Sequence, residues 1–325
     1  MLIATILLII GFILLVYGAD RLVFSCAILC RAIGVSPLII GMTVMGIGTS
    51  LPELLIAFTA SAQGQMDIVV GTAIGSNITN ILLILGGAAL LHPLTVQSKL
   101  LRRELPLMLL VALLSGLTLF DNTLSRTDGL CLLAMSAGWL FFTVYFAHRA
   151  ERETDDRFTH QQQDEIPQGA SNTVAFLWLA VACVLLSIST RMVIDNATVI
   201  ANYFGISELV IALTVMSVGT SLPELATVIA SALKGEDDMA IGHLIGSNIY
   251  NMVLVLGVPA LIYPGDFDSA AFARDYWIML GVSALFMLIC LQRRHQPGRR
   301  TGMLLLCGFL LWVATLYGCP SVTFW

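Results

Sequence analysis

The sequence predicts an all-α polytopic membrane protein of ten transmembrane helices, arranged as two inverted repeats of five. Three observations carry that prediction. The chain is 58% hydrophobic and only 11% charged, so most of its length belongs in lipid. Apolar runs of spanning length recur along it, separated by short polar loops. One long stretch also recurs, with about half of its positions identical.

A span needs about 20 apolar residues. On that measure the first block holds spans at 2–30, 36–62, 69–91, 104–120 and 128–147, and the second at 173–204, 207–233, 240–263, 275–291 and 302–319. The first of these, "MLIATILLIIGFILLVYGAD", has no Lys or Arg before Arg21 and no convincing small-residue cleavage site. It reads as an uncleaved span, not a signal peptide. The long polar segment 148–172 is a linker with no core of its own, dividing repeat 1–147 from repeat 173–325.

Basic residues orient the set. Arg31, then Lys99, Arg102 and Arg103, then Arg149, Arg152 and Arg157, then Lys234, then Arg293, Arg294, Arg299 and Arg300 fall in alternate loops. Those loops should be cytoplasmic, the linker among them, with both termini outside. The opposite loops hold little beyond Arg126 and Arg274, the latter among Asp266, Asp268 and Asp275. The net charge of −5 leaves no basic footprint for nucleic acid. Cys26, Cys30, Cys131, Cys183, Cys290, Cys307 and Cys319 lie mainly in apolar runs without a CxxC, and read as inert small apolar residues.

A shift of 171 residues superposes the segment from Leu38 on the segment from Leu209, with "GTSLPE" at 48–53 and 219–224 and "GSNI" at 75–78 and 246–249. Because each repeat contains an odd number of spans, the second copy should enter the membrane upside down. Inverted repeats of this kind point to a secondary transporter with its site near the midplane.

The repeated glutamates, Glu53 and Glu224, are the expensive feature. A carboxylate at membrane depth costs a few kcal/mol even on lenient scales, ~3 kcal/mol, and neither motif contains a Lys or Arg partner. The simplest partner is a bound cation or proton. On a continuous helix, Thr49 and Ser50 share the face of Glu53, as Thr220 and Ser221 share that of Glu224. Pro52 and Pro223 kink those helices and free carbonyls. Ser76 with Asn80, and Ser247 with Asn251, are i,i+4 pairs able to offer neutral oxygens. Gly71 and Gly75, like Gly242 and Gly246, form GxxxG pairs that allow a neighbouring helix to approach closely.

Other polar residues have plainer readings. Asn77 and Asn248, off the i,i+4 face, are expected to satisfy neighbouring backbone carbonyls. His243 is expected to be a satisfied packing histidine, proton sensitivity being the alternative. Arg191 with Asp195, and Asp20 with Arg21, read as ion pairs within one helix. A cation channel would need oligomeric symmetry but not an inverted repeat, and a facilitative divalent-cation uniporter is a related alternative. A hydrolase built on Ser50 or Ser221 would need a base, and His243 has no counterpart in the other copy.

At these residues the sequence resembles the calcium/cation antiporter superfamily, in its sodium/calcium exchanger branch, over essentially its whole length. The resemblance implies the sodium/calcium exchanger fold, alternating access, and ions held by the second, third, seventh and eighth spans. It implies a bacterial inner-membrane antiporter, not an enzyme, that moves Ca2+ against Na+ or H+, works as a monomer and needs no cofactor. Carried over by position, Glu53 and Glu224 are the shared carboxylates. Thr49, Ser50, Thr220 and Ser221 add hydroxyl or backbone oxygens, and Ser76, Asn80 and Ser247 match further ion-site positions. Asn251 departs from the family, whose well-studied exchangers carry aspartate there. The site therefore holds two formal negative charges, neutralised by one Ca2+, two Na+ or two protons, and the stoichiometry and coupling ion stay open.

Overall fold

Helix Met66–Leu91 (α4) and helix Asp237–Ile262 (α10) form the centre of the molecule: 72% and 78% of their apolar stretches are buried, against 28% for the other long apolar helices. The computed structural model describes residues 1–33, 35–95, 101–153, 172–205, 217–269, 271–291 and 297–318. Residues 207–216 of the expected seventh span, most of the expected linker, Lys99, Arg293, Arg294 and Cys319 lie outside them.

In chain order the remaining helices are Leu2–Ile33 (α1), Pro37–Thr49 (α2), Leu51–Ala62 (α3), Leu101–Leu117 (α5), Arg126–Glu153 (α6), Asn172–Tyr203 (α7), Ser217–Thr220 (α8), Leu222–Leu233 (α9), Ala271–Leu291 (α11) and Arg299–Gly318 (α12). Among the described residues, six helices are long and apolar enough to cross a membrane, and seven when the bent pair α2 and α3 is taken as one span. α5 and α9 are shorter. The first turn of α5 carries Arg102, Arg103 and Glu104, and the residues preceding α8 are outside the described set. Large apolar side chains such as Phe12, Leu117, Phe141, Leu177, Leu304 and Leu311 are exposed on the outer helices, as lipid-facing surface requires.

α1 and α7 pack along each other's length, and α1 also meets α9. The Arg21 guanidinium lies over the rings of Phe24 at 5.1 Å, Tyr17 at 5.6 Å and Trp178 at 5.7 Å, a cation–π seam between the two helices. Asp20 pairs with Arg21 at 2.6 Å as the sequence suggests, but it also takes Lys234 Nζ at 2.7 Å, so the pair ties α1 to the end of α9. Arg191 and Asp195 approach within 4.0 Å on the exposed side of α7.

The two glutamate helices end in the same local structure in both repeats. α3 ends in a Schellman turn: Gln65 N–H donates to Ala60 O, Gly64 N–H donates to Ser61 O, and Gly64 has φ +74°. α9 ends identically, with Glu236 N–H on Ser231 O, Gly235 N–H on Ala232 O and φ +73° at Gly235. Only glycine takes that backbone region without strain. Each glutamate helix thereby reverses into its companion, α3 into α4 and α9 into α10.

Loop contacts gather in two sets. Thr123–Leu124 (β1) pairs antiparallel with Gly265–Asp266 (β2), and Asp268 N–H donates to Asp67 Oδ1 at 2.6 Å. In the other set, Thr95 N–H donates to Asp237 Oδ2 at 2.7 Å and Leu94 N–H to Pro297 O at 3.0 Å. The short β ladder was not legible in the sequence.

Candidate cation site

The repeated "GTSLPE" does not form one continuous helix. The backbone leaves helical geometry at Ser50 (φ −79°, ψ 2°) and at Ser221 (φ −89°, ψ 7°), and a new helix starts one residue later. Pro52 and Pro223 fall in the first turn of α3 and α9, where a missing N–H costs nothing. α2 and α3 meet at 42°. The shared-face reading of Thr49 and Ser50 with Glu53 is corrected accordingly: the break, not helical periodicity, sets where those hydroxyls lie.

Glu53 and Glu224 are each 1% exposed, and their carboxyl groups face one another, with Thr49 beside Glu224. α3 packs on α4 and on Asn251–Val255 of α10, while α9 packs on α10 and on Asn80–Leu85 of α4. The two glutamates are thus presented to both central helices at once. Those two segments are π-helical turns that open at Asn80 and Asn251, an irregularity common at functional positions.

The asparagines form a cross-braced network. Asn80 Nδ2 donates to Asn248 Oδ1 at 3.0 Å, and Asn251 Nδ2 donates to Asn77 Oδ1 at 3.1 Å. Asn77 Nδ2 also donates to the Asn248 carbonyl at 3.1 Å and faces Met279 Sδ at 3.5 Å, while Asn248 Nδ2 faces Met108 Sδ at 3.8 Å. The repeat shift that carries Asn80 onto Asn251 carries Asn77 onto Asn248 and Met108 onto Met279. The expectation that these asparagines satisfy backbone carbonyls holds for Asn77, whose carbonyl partner belongs to the other repeat, and is corrected for Asn248, whose amide nitrogen faces the Met108 sulfur while its amide oxygen accepts from Asn80. An aspartate at 251 could not make the donation to Asn77 unless it were protonated.

Since the amide nitrogens are committed, the carbonyl oxygens of Asn80 and Asn251 are turned elsewhere. Among the described residues, Asn80 Oδ1, Asn251 Oδ1, Glu53 Oε2, both Glu224 oxygens and Ser221 Oγ are buried without a hydrogen-bond partner. An unmatched buried acceptor costs about 1–3 kcal/mol. Oxygen-only sets of this kind suit hard cations. Ser247 Oγ lies 3.3 Å from Ser50 Oγ and accepts from Asn80 Nδ2 at 3.1 Å, bridging the repeats. Ser76 is buried one turn before Asn80 on α4, and Thr220 is half-buried at the end of α8.

His243 is buried and satisfied as expected. Its Nε2 lies 2.7 Å from Thr49 Oγ1 and its Nδ1 lies 3.1 Å from Thr227 Oγ1. Thr227 was not among the expected residues, and position 56, its counterpart in the first repeat, is isoleucine. The Met108 and Met279 contacts were missed as well. The duplication itself carried the signal for those, since both methionines recur at matching positions.

The GxxxG reading divides between the copies. A Cβ added at Gly242 or Gly246 would overlap the carbonyl oxygen of Leu38 or Met42, so α2 and α10 meet backbone to backbone. A Cβ added at Gly71 would meet no described atom of another element within 4 Å, and one at Gly75 only Trp312, at 4.0 Å.

Comparison with known proteins agrees with this architecture. The family model described as sodium/calcium exchanger protein matches residues 3–146 and 174–318. The chain is 57% identical over 317 residues to the inner membrane protein YrbG of Escherichia coli, covering 98% of both. It is 29% identical to the sodium/calcium exchanger MaX1 of Methanosarcina acetivorans, covering 96% of this chain and 97% of that one. A structure of the sodium–calcium exchanger NCX_Mj superposes with a TM-score of 0.82 at 30% identity, over 97% of this chain and 99% of the other. With buried paired glutamates in a repeated helical frame and a family match across both halves, the chain belongs to the sodium/calcium exchanger family.

Proposed function

We propose that this chain is a secondary-active antiporter of the bacterial inner membrane that exchanges Ca2+ for Na+ or H+ by alternating access. The observation that carries the reading is the pair of buried, facing carboxylates, Glu53 and Glu224, on helices that pack against the central segments bearing the partnerless oxygens of Asn80 and Asn251. These carboxylates are the shared charge of the site. Thr49, Ser50, Thr220 and Ser221 supply hydroxyl or backbone oxygens, and Ser76, Asn80, Ser247 and Asn251 complete the set. The relatives lend support: one is named a sodium/calcium exchanger, another an inner membrane protein, and NCX_Mj was solved after soaking with Na+ and Ca2+.

The architecture proposed with it is ten spans in two inverted repeats, 1–147 and 173–325, joined by a cytoplasmic linker at 148–172. The loop contacts fit this topology. Thr123, Asp67 and Asp266 to Asp268 meet in one set and Thr95, Asp237 and Pro297 in the other, which are the groupings expected for opposite sides of a membrane. Both termini are then periplasmic, and a monomer holds the whole site.

Competition couples the fluxes. Two carboxylates bind one divalent cation or two monovalent ones, not both, so arrival of one expels the other. A site of two bare carboxylates crosses reluctantly, which suppresses leak. The test is Ca2+ uptake by proteoliposomes of the purified protein, with Na+ and pH gradients imposed separately. Uptake driven by one gradient identifies the counter-ion; uptake indifferent to both overturns the reading.

A further inference from the structure

We propose that His243 is a positioning residue of the cation site: it draws the proton of the Thr49 hydroxyl away from the glutamate pair, so that Thr49 offers only lone pairs to a cation. This rests on the transport reading above for the role of Thr49, but the hydrogen-bond argument stands on its own geometry. A neutral imidazole has one N–H and one acceptor nitrogen, so of two hydroxyls flanking it one must donate and the other accept. Thr227 Oγ1 is 2.8 Å from the Pro223 carbonyl and 3.1 Å from His243 Nδ1, so its proton belongs to the carbonyl and it accepts from Nδ1–H. Thr49 shows the reverse order: its Oγ1 is 2.7 Å from Nε2 but 3.1 Å from the Met45 carbonyl and 3.5 Å from that of Gly46, and although it lies beside Glu224 neither Glu224 oxygen is hydrogen-bonded, so its proton goes to the ring.

The chain of bonds therefore runs in one direction, from Thr49 to the ring, from the ring to Thr227, and from Thr227 to the backbone of α9 one turn before it. A hydroxyl can ligate a cation only through oxygen, and one whose proton is held on the far side is oriented for that before the ion arrives. The device also links Thr49 of the first repeat to the helix bearing Glu224 of the second. It has no mirror image, because the first repeat carries Thr72 and Ile56 where the second carries His243 and Thr227. The two halves of the site are chemically different on this account, Thr49 being held by a ring and Thr220 by some other means.

Three full-length variants test it. Gln at 243 can place a carbonyl oxygen near the Nε2 position, whereas Asn reaches only the Nδ1 position. His243→Asn is expected to raise the KM for Ca2+ about fivefold, the size of one hydrogen bond, at unchanged maximal rate, and His243→Gln to restore it. Thr227→Val removes the acceptor of Nδ1–H and is expected to raise KM similarly. Nitrogen-15 shifts of the labelled ring, assigned by difference from His243→Asn, should show Nδ1 protonated and Nε2 bare. An Nε2–H tautomer or a charged ring overturns the proposal whatever the transport data show. Asn and Gln variants that fall together in rate and thermal stability reduce His243 to packing and also overturn it. Wild-type protein that takes up no cation overturns the transport reading, and only the role of Thr49 falls with it.

Discussion

Glu53 and Glu224 account for most of the electrostatics at the residue scale, because each is buried and neither faces a basic side chain in the described network. Removing one charge at ~4 Å from a bound cation costs about 4 kcal/mol even at an effective dielectric of ~20, which is more than 100-fold in affinity. Glu53→Gln and Glu224→Gln are therefore each expected to abolish measurable Ca2+ uptake while leaving the protein folded, read by uptake and by size-exclusion profile. The asparagines act one step back. Asn77→Ala leaves Asn251 Nδ2 without its acceptor and frees its oxygen to turn, so both stability and cation affinity should fall, by about 1–3 kcal/mol in thermal unfolding. Asn248→Ala should do the same through Asn80. Repetition made the glutamates, serines and asparagines legible in sequence. It did not reveal that Asn77 and Asn248 brace the opposite repeat, because a pairing between copies depends on how the helices cross.

Elements meet here through small residues and fixed turns, so substitutions that add a single carbon discriminate sharply at this scale. Gly246→Ala would drive a methyl group into the Met42 carbonyl, and Gly242→Ala into that of Leu38, where no flexible side chain can give way. Each is expected to cost about 3 kcal/mol or to block folding, whereas Gly138→Ala, with nothing within 4 Å, should be neutral in the same thermal-unfolding assay. Gly64→Ala and Gly235→Ala force a left-handed backbone on a side chain and should cost about 1 kcal/mol each. Element positions were largely legible, since apolar run length is what a bilayer demands. The break at Ser50 and Ser221 was less so: the prolines announced a kink, but Pro at the second helical position starts a helix as readily as it bends one. The β1 and β2 pair, only two residues in each strand, offers no periodicity to read.

For the whole molecule, the duplication is the main determinant. Matching Schellman turns, matching π-helical turns and matching asparagine bonds arise from one sequence used twice, and they bring two glutamates to a common centre. Family membership was legible from the paired motifs, and so was the lack of a counterpart to His243, whereas its bonds to Thr49 and Thr227 were not, because they depend on how α2, α9 and α10 cross. The central claim is obligatory exchange at one two-carboxylate site, and trans-stimulated isotope efflux tests it most directly. Liposomes holding the protein are loaded with radioactive Ca2+ and diluted into media with and without external Ca2+. The account predicts slow efflux into cation-free medium, marked acceleration by external Ca2+, and no acceleration in Glu53→Gln or Glu224→Gln. Efflux equally fast with no cation outside would contradict it, and would make the protein a channel or uniporter.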